Sequence, residues 1–466
     1  MSMATASQRE EVLPRPVEAE HDFPRPAYAW YVVALIFVLS GFAFVDRIIV
    51  SLVTPAIQAD LGLSDSQIGL LQGLAFALFY TLFGVPLGLI ADRWNRKWLL
   101  TIGISVWSLM TALCGVVKGF GALFFARLGV GMGEASLNPC VTSLISDYFP
   151  PRTRPRAIAG HVMGQGFGHG LTYVFGGMLL GWLTTRGGLD LPVVGHTKPW
   201  QSMFLIVGIA GIIPALLFAF TVREPRRLEL ANKDQRRASG AQIRAFMKQN
   251  RRTLICHHVG LALTIMTAYG FGNWMPTFFL RVHGWTPQRF SVIYGTISIV
   301  FGILMPLTAA WVAGWLKNRG VVDATWRVAL VGSFGCTTCG ALAPLMPTPE
   351  TSLLIYIFAG LFASLPAVLA LIAISEFVPN EMRGVITAVY FLLIGFLSTG
   401  LGPFAVGLAT DYLFQDKAAI GRSLSLVSVM TGLPGGILLA IGLKSFRESL
   451  GRATWGTRPS AATIRH

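Results

Sequence analysis

The sequence predicts an all-α membrane protein of twelve transmembrane helices, arranged as two six-helix bundles with both termini in the cytoplasm. Three observations carry that prediction. Of 466 residues, 53% are hydrophobic and only 13% charged, about half the charged share of an ordinary soluble domain, so polar side chains cannot coat the outside. Apolar runs of about 20 residues, the length that crosses a bilayer, recur about twelve times along the chain. The lysines and arginines between those runs fall mainly on alternate loops.

Residues 1–29 are polar and proline-rich and lack the basic-then-apolar order of a signal peptide, so they read as a disordered cytoplasmic tail. The first bundle, residues 30–222, holds the spans Trp30–Ala56, Asp65–Ala91, Trp98–Val117, Gly119–Tyr148, Arg156–Thr185 and Trp200–Thr221. Residues 223–252 form a long polar linker. In it Arg244, Lys248, Arg251 and Arg252 interleave with Ile243, Phe246 and Met247, which suits an amphipathic helix on an anionic leaflet or a solvated basic linker. The second bundle, residues 253–445, holds Leu254–Leu280, Pro287–Leu316, Thr325–Leu345, Thr351–Phe377, Met382–Leu413 and Ser423–Leu443, and residues 446–466 read as a second cytoplasmic tail.

The loops set the orientation. One set carries Arg93, Arg96, Lys97, Arg152, Arg154, Arg156, the cluster from Arg223 to Arg252, Lys317, Arg319 and Arg383; the other carries only Lys118, Arg186, Lys198, Arg281, Arg289, Lys417 and Arg422. The positive-inside rule places the first set in the cytoplasm, and the expected location is a cell's inner membrane, as a multi-pass chain. The net charge of +15 therefore reports topology rather than a nucleic-acid partner. The five cysteines all lie in apolar runs and read as buried thiols. Cys336 and Cys339 have no redox or zinc domain around them, and no metal or other cofactor is expected. The motifs H-E-x-x-H and G-x-S-x-G are absent, which argues against an enzyme.

Two segments repeat. Ile145-Ser146-Asp147-Tyr148-Phe149-Pro150 precedes Arg154, and Ile374-Ser375-Glu376-Phe377-Val378-Pro379 precedes Arg383 at the same spacing, each after the fourth span of its half. Parallel repeats of this kind are typical of transporters.

The sharpest motif is Gly88-Leu89-Ile90-Ala91-Asp92-Arg93-Trp94-Asn95-Arg96-Lys97 after span two. Gly88 allows close helix approach, and Asp92 can accept hydrogen bonds from an arginine or a helix amino end. With Arg93, Arg96 and Lys97 they form a candidate gating latch for the outward-open state. The counterpart, Gly314-Trp315-Leu316-Lys317-Asn318-Arg319, lacks the acid.

The second constellation is charge inside the membrane, which costs at least about 2.5–3.5 kcal/mol per group and marks function by default. Asp46 and Arg47 lie within span one, Arg127 and Glu134 within span four. Arg127 and Glu134 are seven apart and share a helix face. If spans one and four face each other, Arg127 can bridge both acids. Asp46, Glu134 and Arg127 are thus the candidates for proton coupling, each carboxylate exchanging a charged neighbour for a dry one. Among the histidines, His161, His257 and His258 read as packed hydrogen-bonding residues, and His169 is a candidate for the substrate. The second half holds Tyr269, Asn273, Trp274, Tyr294 and Tyr390 but no clear mid-span charge, and Tyr269, Asn273, Trp274 and Tyr390 are taken as substrate-binding candidates. A cavity charged on one wall and aromatic on the other suits an amphiphile or an organic anion with a sizeable apolar part.

Phe44-Val45-Asp46-Arg47, the Gly88–Lys97 motif, Arg127-Leu128-Gly129-Val130-Gly131-Met132-Gly133-Glu134-Ala135, Ser146 to Pro151 and Val222 to Arg226 together resemble bacterial Spinster-like members of the major facilitator superfamily. Asn95 departs from the glycine common in the superfamily signature. The resemblance implies the major facilitator fold, a rocker-switch cycle and lipid-like substrates such as sphingosine-1-phosphate or lysophospholipids. It implies a proton-sensitive cluster of Asp46, Arg127 and Glu134, with Arg47 as a site for an anionic headgroup; Arg127 is also a substrate-binding candidate, one that would serve a small organic anion as well. The leading expectation is a proton-sensitive transporter of lysolipid-like amphiphilic anions, working as a monomer in the bilayer with protons as co-substrate; the alternative is a proton-coupled symporter of small organic anions.

Overall fold

A computed structural model describes residues 23–192, 194–227 and 238–453. Most of the two stretches read as tails and part of the linker lie outside these residues, but α1 already begins at Pro26 and α16 runs to Arg452, so the inner ends of both stretches are helical rather than tail. The described residues are almost wholly helical. The first half contains α1 (Pro26–Leu61), α2 (Asp65–Gln72), α3 (Leu74–Ala91), α4 (Arg96–Cys114), α5 (Phe120–Glu134), α6 (Leu137–Tyr148), α7 (Arg154–Arg186) and α8 (Pro199–Thr221), with a small hairpin, β1 (Leu189–Leu191) and β2 (Gly195–Thr197), before α8. After α9 (Gly240–Gln249) the second half contains α10 (Arg251–His283), α11 (Pro287–Asn318), α12 (Ala324–Leu342), α13 (Pro349–Phe377), α14 (Asn380–Leu393), α15 (Gly402–Leu408) and α16 (Ile420–Arg452). π-helical turns, Ile394–Leu401 and Ala409–Phe414, flank α15.

Ten helical segments among the described residues are long and apolar enough to cross a membrane. The stretches expected as spans four and five differ in kind. The first breaks at Ala135-Ser136 into two short helices, α5 and α6. The second, α7, is 33 residues long but rich in glycine and polar side chains. Large apolar residues such as Phe125 and Phe220 stand 71% and 82% exposed, as lipid-facing side chains do.

The repeat is structural as well as sequential. Arg154 Nη2 donates to the Ser146 carbonyl at 2.7 Å, and Arg383 Nη2 donates to the Ser375 carbonyl at 3.1 Å. Each arginine caps the end of the helix eight residues before it, where carbonyls lack intrahelical partners.

The two halves meet at one end and part at the other. At the end away from the Gly88–Lys97 turn, one apolar core takes Ile49, Val53, Trp200 and Phe204 from the first half and Phe271, Trp274, Phe278 and Phe279 from the second. At the turn's own end, the cores are separate. One holds Val33, Leu100, Ile145 and Phe218; the other holds Leu254, Trp326, Ile374 and Phe446. Glycines permit the closure. A Cβ on Gly73, at the break between α2 and α3, would overlap the Gly400 carbonyl oxygen, and a Cβ on Gly170 of α7 would lie 2.7 Å from the Ile299 nitrogen of α11. The molecule is therefore open towards the signature turn and shut at the far end.

The linker helix α9 has its residues Phe246 and Met247 packed on the second half's core, with Phe246 stacked on Phe377 at 6.3 Å. Its basic residues face outward. Its apolar stripe is thus spent on protein rather than inserted in lipid.

Candidate functional site

Helices α1 and α5 bring the four intramembrane charges together. Arg47 Nε and Nη2 each lie 2.7 Å from Glu134 Oε2. The Arg47 guanidinium sits 4.6 Å from the Phe76 ring centroid, 4.9 Å from Tyr80 and 5.2 Å from Phe44, an aromatic box whose faces attract a cation. Arg127 Nη1 donates to the Asp46 main-chain carbonyl at 2.8 Å. The expected bridge from Arg127 to both acids is therefore replaced by a pairing of Glu134 with Arg47. Adjacent residues on a helix point about 100° apart, so Asp46 and Arg47 leave α1 in different directions, and it is Arg47 that ion-pairs with Glu134.

Burial separates the roles further. Arg127, Asp46 and Glu134 are buried, whereas the Arg47 side chain is 22% exposed. Of the four charges, Arg47 is the one in reach of a solute in the opening. Among the described residues, no hydrogen-bond partner reaches Asp46 Oδ1, Glu134 Oε1 or Arg127 Nε. A buried polar network left partly unsatisfied is costly as it stands and is poised to rearrange.

One level towards the far end, a polar layer ties the halves. Ser51 donates to Asn273 Oδ1 at 3.1 Å, and Gln72 Nε2 donates to Thr54 Oγ1 at 2.9 Å and to the Asn273 carbonyl at 3.4 Å. Asn273 in turn donates to the Tyr269 carbonyl at 2.9 Å, and Tyr269 remains half-buried. Trp274 and Tyr390 do not line the opening. Trp274 is fully buried and its indole donates to the Pro403 carbonyl at 2.8 Å. Tyr390 is buried against the His257 and His258 rings. Such side chains combine a large apolar body with one polar atom, which suits helix contacts as well as a cavity.

The second half's wall is formed by residues on α11 and α13, among them Tyr294, one of the aromatics named from the sequence. A cavity of about 160 Å³ is lined by His169, Tyr294, Ile297, Phe301, Met305, Tyr356 and Ile357, among others. Tyr294 and Tyr356 share a hydrogen bond of 3.1 Å, and His169 packs edge-on to Tyr294 with centroids 6.3 Å apart.

The far end carries a gate that sequence reasoning missed. Arg281 of α10 grips Asp65 with two bonds, 2.7 and 2.8 Å, and reaches Gln58 Oε1 at 2.5 Å; Gln58 also donates to Asp65 at 2.6 Å. Asp411, from the second half, accepts from the Asp65 and Ser66 amides at 3.1 and 2.6 Å. It thereby caps the amino end of α2, where free N–H groups and the helix dipole favour an anion. Asp65, Arg281 and Asp411 look like ordinary helix-end charges, and only the pairing across the halves reveals their role.

At the open end, the signature turn is folded onto its own half. Arg96 is buried, ion-paired with Asp147 and, at 2.7 Å, with Glu224; it also donates to Ser143 Oγ at 2.9 Å. Glu224 accepts from the Lys97 amide at 2.9 Å, and Arg227 donates to the Ala91 and Trp94 carbonyls at 2.8 and 2.5 Å. Asp92 and Arg93 are exposed, and among the described residues no hydrogen bond or ion pair engages the Asp92 carboxylate. Gly88 faces only Pro139, in ordinary contact. Removing one partner of a buried ion pair strands the other. Arg96→Ala is accordingly expected to cost about 3–5 kcal/mol of stability, read as a lower melting temperature in detergent. A melting curve equal to wild type would contradict Arg96 as the hub of this turn.

A helical membrane body with a central charged cluster, shut on one side and open on the other, defines a gated multi-pass transporter. The chain belongs to the Major Facilitator Superfamily, whose family model matches residues 35–403. It is 24% identical over 439 residues to an MFS-type efflux pump of Mycolicibacterium smegmatis, covering 93% of this chain and 97% of that protein. It is 25% identical to the hexuronate transporter of Bacillus subtilis, covering 89% and 92%. Among solved structures it resembles a bacterial homologue of the human lysosomal transporter Spinster in an inward-facing, unoccupied conformation, with a TM-score of 0.71, 23% identity and coverage of 94% of this chain and 100% of that one.

Proposed function

We propose that the protein is a proton-coupled transporter of lysolipid-like anionic amphiphiles, with twelve spans, cytoplasmic termini and an inward-open resting form. The observation that carries this reading is the arrangement at Arg47, a cation in an aromatic box, paired with a fully buried acid and exposed to the opening. An anionic headgroup entering the opening competes with Glu134 for Arg47. Once Arg47 turns to the substrate, Glu134 is left buried without its counter-charge, a state relieved by taking a proton. Asp46, buried beside Arg127 and incompletely satisfied, is the second proton site. The apolar tail lies along the aromatic and aliphatic wall of α11 and α13.

The cycle then follows from the two ends. Breaking the Asp65–Arg281 gate opens the far side, while the Gly88–Lys97 turn closes on the second half, with Asp92 free to accept from it. The likeness to a hexuronate transporter favours a second reading, transport of small sugar acids, which Arg47 would also serve. Proteoliposomes given a fluorescent lysophosphatidic acid or a labelled hexuronate under a pH gradient separate the two. The expected result is movement of the lysolipid and not the sugar acid, with loss of transport in Arg47→Ala. Movement of the sugar acid alone would overturn the substrate class.

A further inference from the structure

His161, on the open-end half of α7, is buried in a hydrogen-bonded chain that leads to Arg47. Its Nδ1 lies 2.7 Å from Ser40 Oγ, and that hydroxyl already donates to the Ile36 carbonyl at 2.6 Å. The one hydroxyl proton is therefore used, and Nδ1 must carry the hydrogen of its own bond. On the other side of the ring, Nε2 lies 3.0 Å from Asn138 Oδ1 and 3.2 Å from Gln165 Nε2. The Asn138 amide nitrogen is 2.9 Å from the Tyr80 hydroxyl, and the Tyr80 ring is part of the box around Arg47.

Two proton patterns fit these heavy atoms. With a neutral imidazole, the Asn138 amide turns over, donates its NH₂ to Nε2 and accepts from the Tyr80 hydroxyl. With an imidazolium, Nε2–H donates to the Asn138 oxygen, and the amide NH₂ donates to the Tyr80 oxygen. The balance is one proton gained at Nε2, a rotation of the Asn138 amide, a rotation of the Gln165 amide so that its oxygen rather than its NH₂ faces Nε2–H, and release of the Tyr80 hydroxyl hydrogen from Asn138. A phenol that donates has a more electron-rich ring than one that accepts, so the neutral pattern holds Arg47 more firmly through its cation–π contact.

We infer that His161 is a positioning residue for transport, a proton-sensitive element that tunes the hold on Arg47 through Asn138 and Tyr80. This rests on the reading of Arg47 and Glu134 as the coupling pair. The groups facing the ring are Ser40 from α1, Asn138 from α6 and Gln165 from α7 itself. From α8 and α11, also packed on α7, no titratable or charged group bonds to His161 among the described residues. Asn138 is exposed to the opening, so the chain has access to protons from that side.

The test is the pH profile of lysophosphatidic acid transport by the full chain in proteoliposomes, for wild type, His161→Gln, Tyr80→Phe, the double variant and Glu134→Gln. Glutamine keeps hydrogen bonding and cannot hold the extra proton. The expected result is a midpoint shifted by about one pH unit in His161→Gln, which fixes the neutral pattern, a shift in the opposite direction in Tyr80→Phe, whose ring lacks the donating hydroxyl, and a double variant that keeps the Tyr80→Phe midpoint. A His161→Gln profile that overlays the wild type, or shifts that add in the double variant, would overturn the inference. If His161→Gln does not fold, an unshifted Tyr80→Phe profile overturns it alone. A flat Glu134→Gln profile beside an unshifted His161→Gln one leaves the coupling pair standing and removes His161 from it. A wild-type profile in Glu134→Gln removes the coupling pair and this inference with it.

Discussion

Arg281→Glu is expected to throw the far end open. The Asp65 carboxylate is completely buried, and its charge is met by the two bonds from Arg281. Losing the cation from such a pair costs about 3–5 kcal/mol, because the remaining charge stays buried and unpaired. That cost falls only on the conformer in which the halves meet. It shifts the balance between the two forms by roughly 10²–10⁴-fold, and the reversed charge adds repulsion from Asp65. Spin labels on Val194 and Asp416, exposed residues at the far end of the two halves, would report the separation. A longer distance population that dominates in Arg281→Glu and is minor in wild type is the expected outcome. Arg281→Lys should fall between them, since an ammonium keeps the charge but not the two-bond grip. Identical distance distributions in all three proteins would show that the gate does not hold the far end.

Glu134→Gln is expected to uncouple transport from the pH gradient while leaving the protein folded. The amide preserves shape and can still bond to Arg47, yet it can neither hold the negative charge nor exchange a proton. One pH unit is worth 1.36 kcal/mol per coupled proton, about a tenfold accumulation of substrate. Under such a gradient Glu134→Gln should lose about tenfold in accumulation and retain downhill movement of lysophosphatidic acid. Asp46→Asn should weaken the gradient response as well, since that carboxyl lies in the same buried cluster. Full gradient-driven accumulation in both variants would place the coupling elsewhere.

Much of this was legible in the residues. The helical body follows from apolar runs, and the convergence of Asp46, Arg47, Arg127 and Glu134 follows from the rarity of charge at that depth. The cap shared by Arg154 and Arg383 was visible as a repeat before it was visible as a bond. Which arginine meets which acid was not legible. Sequence spacing places Arg127 and Glu134 on one face, but the rotation of α1 against α5 decides that Arg47 takes Glu134. The gate of Asp65, Arg281 and Asp411 was hidden for a different reason. Charges at helix ends near water carry no cost that marks them, and their meaning lies in contacts more than 200 residues apart. Trp274 and Tyr390 illustrate the converse limit, since one aromatic composition serves a cavity wall and a helix seam equally well.

The most direct test of the account is proton uptake on substrate binding. Purified protein in weakly buffered detergent, with a pH-sensitive dye, would be mixed with lysophosphatidic acid. If the headgroup draws Arg47 away from Glu134, protons should be taken up in proportion to protein, and Glu134→Gln should abolish or sharply reduce the signal. Binding without proton uptake, or the same uptake in Glu134→Gln, would contradict the exchange of partners at Arg47.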